Sequence, residues 1–304
     1  MKETLSIRLF KTLEKGAERL SEEALQQMVR FVVSQCTEEA SFKDKSGRAD
    51  LYYTLFGWML SHILNIRLNA AKAKSYLNRQ DIHSLDLIHY AAYMRCRMIL
   101  RLWEGGKTTF LFKSLLPVGI KGLHDFSSLP HNDPRSPYTL FVWLSLLEDT
   151  GNRTQIPGVK RRFRHPDKKE ILRSLAYYRA GEGGYMNAAD GLTAATNATV
   201  AALAVKGQLE GYHKNADIHV LRNMQQSSGG FKATEASPWP DLLSTATALF
   251  MLNCYGIKPA YAAQDFIEAH WLDSGGFSAT LAEEKSDIEY TFYGLLALGA
   301  VNTV

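Results

Sequence analysis

The amino-acid sequence predicts an all-α protein folded as an (α/α)6 barrel, a closed ring (toroid) of six helical hairpins with Gly-Gly-aromatic turns. A Gly-Gly-aromatic element occurs three times, and its aromatic residues Tyr185, Phe231 and Phe277 are spaced 46 residues apart. Runs with apolar residues at three- and four-residue spacing flank each copy, which is typical of helices. The sequence after Asp50 matches the sequence after Asp287, so the first and last units are alike and a closed ring is favoured over an open solenoid.

Each of the three clear units contains an amphipathic run, a turn and a more apolar run. The predicted first helices are 169–180, 218–226 and 263–272, and the predicted second helices are 196–205, 242–252 and 288–298. Because an amphipathic helix buries only one face, we expect the first helices to form the outer layer and the second helices the inner layer. The glycines are interpreted as helix ends, where a left-handed residue is common and glycine adopts it without penalty.

The N-terminal half carries the same unit in a weaker form. Residues 50–57 and 287–294 both have the pattern D-x-x-Y-T-x-aromatic-G, and the Tyr-Thr-Leu-Phe of residues 53–56 recurs at 138–141. Residues 86–89 supply the start of a degenerate inner helix between them. The six predicted hairpins are 21–66, 68–103, 108–150, 167–206, 213–255 and 258–301. We expect a single domain over residues 1–304, in which residues 1–20 form a capping helix, with its helical run at 3–16.

Composition excludes several classes of protein. Hydrophobic residues make up 46% of the chain and charged residues 22%, which excludes disorder, collagen and a disulfide scaffold. The formal charge of +4 is mild, and no nucleic-acid partner is expected without a concentrated basic face. The densest basic run, residues 160–165, leaves peripheral membrane contact open.

The cysteines and the apolar segments bear on location. Cys36, Cys96 and Cys254 are widely spaced and form no C-x-x-C pair, so reduced thiols are expected. The first 25 residues lack the apolar region of a secretory signal, and no stretch has the roughly 18 apolar residues of a transmembrane segment. A cytoplasmic location is therefore expected.

The Gly-Gly-aromatic hairpins resemble the repeat of the prenyltransferase and squalene-cyclase family, which includes protein prenyltransferase β-subunits and terpene cyclases. The resemblance covers residues 21–301, is strongest over 167–301, and includes the signature-like run Gln-Ser-Ser-Gly-Gly-Phe at 226–231. It implies an (α/α)6 barrel with an apolar central cavity for isoprenoid chains. It also leaves open whether another subunit is a partner.

The catalytic motifs of that family are not matched. Its protein prenyltransferases hold zinc with an Asp-x-Cys pair and a His, and the matching positions here are Asp241, Leu243 and Tyr290. Leucine has no donor atom and tyrosine is an unusual zinc ligand. The acidic Asp-x-Asp-Asp motif of class II cyclases and the magnesium-binding Asp-Asp-x-x-Asp motif of class I synthases are also absent. No metal or other cofactor is predicted.

Polar residues near the starts of the inner helices are the candidate catalytic groups. Aspartates stand at four predicted helix starts: Asp50, Asp86, Asp241 and Asp287. Such residues cap helices, but in a ring they would also meet at one mouth, where the polar head of a ligand would lie. Asp86 and His89 share a helix face, as a general base with its orienting group or as a plain polar pair. The candidate catalytic residues are Asp86, His89, Asp241 and Tyr290.

The candidate ligand-binding residues come from the same helix starts and from the aromatic residues of the inner helices. Arginines near the turns are suited to a phosphate or carboxylate head. Aromatic rings suit a lipid chain, unless they simply fill the barrel. These candidates are Asp50, Tyr53, Trp58, Tyr138, Trp143, Asp287, Arg48 and Arg135.

The expected function is zinc-independent binding of an isoprenoid or other lipid-like ligand in an aromatic-lined cavity, with transfer or cyclisation of the ligand left open. One alternative is a non-catalytic scaffold or binding toroid. Another is a carbohydrate-active (α/α)6 enzyme, which needs two carboxylates roughly 5–10 Å apart across a cleft.

Overall fold

A computed structural model describes residues 3–105, 135–151, 168–213 and 216–301 of the chain. Within these ranges it contains twelve helices and two short antiparallel strand pairs. The helices are α1 (Leu5–Glu18), α2 (Glu22–Gln35), α3 (Leu51–Ile63), α4 (Ala70–Asn78), α5 (Leu87–Gly105), α6 (Pro137–Gly151), α7 (Lys168–Tyr177), α8 (Thr196–Glu210), α9 (Asp217–Asn223), α10 (Leu242–Cys254), α11 (Gln264–Glu268) and α12 (Ile288–Ala300). The strands are β1 (Phe42–Lys43) with β2 (Ala49–Asp50), and β3 (Phe231–Lys232) with β4 (Pro240–Asp241).

Six helices form a closed inner ring, which confirms the predicted all-α toroid. Each of α3, α5, α6, α8, α10 and α12 packs against the next, and α12 returns to α3. The outer helices pack on this ring: α2 on α3, α4 on α5, α7 on α6, α9 on α8 and α10, and α11 on α12. The predicted first helix of the hairpin 108–150 lies outside the described residues, as does the basic run 160–165.

A threonine on the inner helix holds the aromatic turn of four units. The backbone N–H of the turn aromatic donates to the threonine hydroxyl at 2.9 to 3.2 Å, in the pairs Phe42–Thr54, Tyr185–Thr199, Phe231–Thr245 and Phe277–Thr291. In three units the same hydroxyl donates to the carbonyl oxygen of the aspartate that begins the helix, at 2.6 to 2.7 Å. This double use explains why aspartate and threonine recur four residues apart in the repeat.

The glycine that ends the D-x-x-Y-T-x-aromatic-G pattern makes room for the aromatic ring of the turn. A Cβ atom on Gly57 would overlap the ring of Phe42, and a Cβ atom on Gly294 would overlap the ring of Phe277. Both rings are almost fully buried. The first and last units therefore share their packing as well as their sequence.

Helix α1 lies across the end of the ring where the inner helices finish. Its first turn contacts α6, where Leu5 N–H donates to Glu148 and the Ser6 hydroxyl donates to Asp149 Oδ2 at 2.9 Å. Arg8 donates to the carbonyl oxygen of Cys254 at the end of α10. Gly299 of α12 packs directly against the backbone of α1. The one-domain prediction for residues 1–304 stays a prediction.

None of the described helices combines the length and the apolar character that crossing a membrane requires.

Candidate functional site

Four inner helices begin with an aspartate cap at the end of the ring opposite α1, which we call the mouth. Each carboxylate accepts the backbone N–H of the third residue after it, at 2.7 to 2.9 Å, in Asp50, Asp86, Asp241 and Asp287. Such a bond satisfies an otherwise unpaired N–H of the first turn. All four aspartates therefore cap their helices.

The loops that lead into the last three inner helices are bonded to one another around the mouth. Thr196 N–H donates to the Ala233 carbonyl at 2.8 Å, and Leu242 N–H donates to the Ala279 carbonyl at 3.0 Å. Each of these loops carries a large exposed apolar residue: Leu192 (92% exposed), Trp239 (62%) and Leu281 (63%). The rim of the mouth is therefore apolar as well as charged.

Side-chain exposure changes with depth along the inner helices. In the first two turns, several residues keep partial exposure: Tyr52, Tyr53, His89, Phe141, Asn197, Val200, Thr247, Glu289, Tyr290 and Tyr293. Tyr138 is 41% exposed. Further along, Leu60, Ala204 and Ala297 are completely buried. At 1.5 Å per residue, two turns correspond to a depth of about 10 Å.

Five tyrosines of these first two turns form what we call the tyrosine belt, namely Tyr52, Tyr53, Tyr138, Tyr290 and Tyr293. Burial raises the pKa of each of these phenols, so all of them stay protonated at neutral pH. Within α3, the ring centroid of Phe56 lies 4.7 Å from that of Tyr52, and across the seam between α3 and α12 it lies 4.7 Å from that of Phe292. The first and last units thus meet through aromatic rings.

Glu289 lies within the tyrosine belt. The Tyr52 hydroxyl donates to its Oε1 at 3.0 Å across the seam between α3 and α12. Burial raises the pKa of the Glu289 carboxyl, although hydrogen bonds from Tyr52 and Tyr53 act in the opposite direction. This carboxyl therefore holds a proton more readily than an exposed glutamate does.

The structure brings three predicted residues together at the start of α5. His89 Nδ1 lies 2.9 Å from Asp86 Oδ1, and His89 Nε2 lies 3.7 Å from Asp50 Oδ2 on the neighbouring helix. The hydrogen bonds that Asp86 accepts from His89 lower the pKa of its carboxyl, although burial acts to raise that pKa. His89 is half-buried between the two carboxylates, which orients its ring.

A second predicted group lies at the start of α12. Lys45, on the loop between β1 and β2, places Nζ 3.5 Å from Asp287 Oδ2 and 4.8 Å from the ring centroid of Tyr290. Burial raises the pKa of Asp287 despite this lysine. On the adjacent helix α10, Asp241 accepts both the N–H and the hydroxyl of Ser244 at 2.7 Å.

Four further predicted ligand-binding residues, Trp58, Arg48, Arg135 and Trp143, make contacts of other kinds. Trp58 is fully buried and donates to the Ala40 carbonyl at 2.7 Å, within the first hairpin. The Arg48 side chain is 83% exposed and bonds within its own loop, so Lys45 rather than Arg48 reaches the mouth. The Arg135 guanidinium lies 4.8 Å above the ring of Trp143, and these two residues pair with each other.

The residues at the positions of the zinc ligands do not fit a zinc ion. Asp241 is engaged as a helix cap, Leu243 offers no donor, and Tyr290 stays protonated. In the described ranges, no group of three or more His, Cys, Asp or Glu side chains is arranged to hold a metal ion. The prediction that no cofactor is used stays a prediction.

Sequence reasoning missed Glu289 as a site residue. It is the only acidic residue of α12, and it stands two positions after the cap Asp287, where the first unit has Tyr52 after Asp50. A carboxylate in the first turn of an otherwise apolar inner helix is a pattern visible in the sequence. Only the ring, however, places it against Tyr52.

The site can perform acid–base chemistry beside aromatic rings. Glu289 is able to hold or release a proton, and the phenols of Tyr52 and Tyr53 surround it. Aromatic faces such as that of Tyr293 stabilise positive charge that develops nearby. The imidazole of His89 is a further polar group near the mouth.

One comparison with known proteins identifies a family. Residues 123–303 match the family model of the prenyltransferase alpha-alpha toroid domain. No curated protein matches the chain.

Proposed function

We propose that this chain, which belongs to the prenyltransferase alpha-alpha toroid family, binds an isoprenoid or other lipid-like chain in an aromatic-lined cavity inside its ring, without zinc. The observation that carries the proposal is the tyrosine belt. Its side chains retain partial exposure on the first two turns of the inner helices, whereas the deeper residues Leu60, Ala204 and Ala297 are completely buried. Partial exposure of large rings on the inner face of a closed ring is what an open, ligand-sized space at the mouth requires.

The surroundings of the tyrosine belt suit a chain with a polar end. Aromatic faces on α3, α6 and α12 contact hydrocarbon, and the exposed Leu192, Trp239 and Leu281 give the rim an apolar approach. Lys45 and the polar group formed by Asp50, Asp86 and His89 lie near the mouth and are suited to the polar head.

If the ligand is converted, the geometry favours cyclisation over transfer. Glu289, whose pKa burial raises, would give its proton to a carbon–carbon double bond, and the tyrosine rings would stabilise the cation formed. The cyclised cation would then lose a proton to the Glu289 carboxylate, which restores the acid and leaves a product that is an isomer of the substrate. Transfer in this family relies on zinc, and the residues at those positions do not fit zinc. Cyclisation is therefore the reaction proposed for this site.

Binding is tested by calorimetric titration of the full chain with all-trans-farnesol and geranylgeraniol. We expect saturable binding that Tyr138→Ala and Tyr293→Ala each weaken about tenfold, since each removes a large contact surface. The matched control is Tyr177→Ala, a tyrosine on outer helix α7 that is 58% exposed. Equal affinity in all four proteins would place the ligand outside the ring, and no binding at all would refute the proposal.

Conversion is tested separately by incubating the same alcohols with the protein and analysing the extract by gas chromatography and mass spectrometry. A product with the mass of the substrate and one ring more is expected, and Glu289→Gln should abolish it while binding persists. Binding without any product would support the non-catalytic binding toroid instead. Stoichiometric zinc in the purified protein would contradict the zinc-free proposal.

A further inference from the structure

An ion pair lies deeper than the tyrosine belt on the facing sides of α5 and α6. Arg95 Nε donates to Asp149 Oδ2 at 3.2 Å, and Arg95 Nη2 donates to Ser145 Oγ at 2.9 Å. Ser145 and Asp149 follow Tyr138 and Phe141 at helical spacing, so these four residues of α6 share one face. Because Tyr138 belongs to the tyrosine belt, that face is the one directed into the ring.

The charge of Arg95 acts on the tyrosine belt. Burial raises the pKa of Tyr138, and the positive charge of Arg95 counteracts this rise. Arg95 therefore lies close enough to the Tyr138 phenol to influence it. Arg95 also stands nine residues after Asp86, which is about 14 Å further along α5.

Among the described residues, Arg95 keeps unpaired N–H donors and is partly exposed, whereas the carboxylate of Asp149 is buried. The Arg95 side chain is 22% exposed and the Asp149 side chain only 6%. The Ser6 hydroxyl of α1 also donates to Asp149 Oδ2, and this hydrogen bond holds the carboxylate at the closed end of the ring. A guanidinium carries five N–H donors, and Nη1 of Arg95 has no partner in the part of the chain that the structure describes.

We propose that Arg95 forms a polar subsite that binds a neutral oxygen, a hydroxyl or a carbonyl, at the end of the ligand that lies deepest in the ring. The inference rests on the proposed function, and it narrows the ligand to a chain oxygenated at its inner end. A neutral oxygen accepts the free donors of Arg95 without adding negative charge. A carboxylate there would be repelled by Asp149, whose charge already compensates that of Arg95.

The experiment measures the affinity of the full chain for three probes with one carbon skeleton: farnesol, farnesoic acid and farnesene. Farnesol has a single oxygen, and we expect it to bind with that hydroxyl at Arg95 rather than at the mouth. It should then bind about tenfold more tightly than farnesene, because a hydrogen bond to a charged donor is gained. Farnesoic acid should bind more weakly than farnesol. Arg95→Met should remove the preference for farnesol and leave farnesene binding unchanged.

Two further variants keep this test decisive. Arg95→Met leaves Asp149 buried without its partner and can unfold the chain, so R95M/D149M removes both charges at similar volume. Arg97→Met is the matched control, since Arg97 lies on the same helix and donates to the Tyr93 hydroxyl at 2.9 Å. The control should keep the full preference for farnesol.

The outcomes separate this inference from the proposed function. Equal binding of farnesol and farnesene by the unmodified protein would overturn the Arg95 subsite while chain binding stands. A preference for farnesol that survives in R95M/D149M would overturn it too, because another group would then bind the oxygen. Failure of all three probes to bind would overturn the proposed function and this inference with it.

Discussion

The mouth and the closed end of the ring are formed by the same six inner helices, yet they are built on different principles. At the closed end, α1 packs against helix ends and its polar groups are paired with Glu148, Asp149 and the Cys254 carbonyl. At the mouth, the aspartates cap the first turns of their own helices, and the tyrosines between them keep contact with solvent. The difference indicates that stability is concentrated at the closed end and along the turns, while the mouth is available for function.

The largest effect is expected at the closed end, from Gly299→Ala. A Cβ atom there would overlap the Thr12 carbonyl of α1, so the two helices must separate. We expect a loss of about 3 kcal/mol in the free energy of unfolding, measured by urea denaturation followed by circular dichroism. The control is Gly181→Ala, where a Cβ atom meets nothing within 4 Å. Equal losses in both variants would show that α1 is not closely packed on α12.

A smaller loss of unfolding free energy is expected from Thr291→Val, at the threonine of α12 that holds the aromatic turn of the last unit. Valine keeps the shape but leaves the buried Phe277 N–H without its acceptor and removes a bond to the Asp287 carbonyl. The cost should be about 2 kcal/mol of unfolding free energy in the same assay. Thr280→Val is the control, because that half-buried hydroxyl makes no hydrogen bond in the described part of the chain. A loss no greater than that of the control would contradict the proposed role of the threonine.

The pH dependence of the unfolding free energy tests whether Glu289 is buried at the mouth. Because burial raises the pKa of Glu289 in the folded protein, the folded state binds the proton more tightly than the unfolded state. The unfolding free energy should therefore fall as pH rises from the ordinary glutamate pKa through the raised folded value. Glu289→Gln should make this decline shallower, in denaturation curves recorded from roughly pH 4 to 8. A remaining slope is expected from Asp287, whose pKa burial also raises.

The matched control for that experiment is Glu284→Gln, an exposed glutamate in the preceding loop. It should leave the pH profile of the parent protein unchanged. Identical profiles for the parent and Glu289→Gln would mean that Glu289 is solvated like a surface residue.

The smallest effect on stability is expected from Tyr138→Ala at the mouth. Its side chain is 41% exposed, so the unfolding free energy should change by no more than about 0.5 kcal/mol. On the same helix, Leu146→Ala should cost about 3 kcal/mol, because Leu146 is completely buried. A large loss in Tyr138→Ala would mean that the tyrosine belt belongs to the core.

The fold was predictable because the repeat depends on residues that lie close together in the chain. The turn glycines, the capping aspartates and the threonine four residues later each satisfy a need within one unit. The end-to-end match then predicted the closure that the contact between α12 and α3 confirms. The chemistry was less predictable, since Trp58 and Arg48 have the right residue types but are directed into the first hairpin and into solvent.

Taken alone, the sequence determined that the chain is all-α, that its unit is a hairpin, and that six units close into a ring. These properties follow from periodicity and from hydrogen bonds between residues close in the chain. Only the tertiary structure decided that Glu289 meets Tyr52 and that Arg95 meets Asp149. Each of these pairs joins different helices, and the direction of a side chain around a helix becomes a contact only when the neighbouring helix is in place.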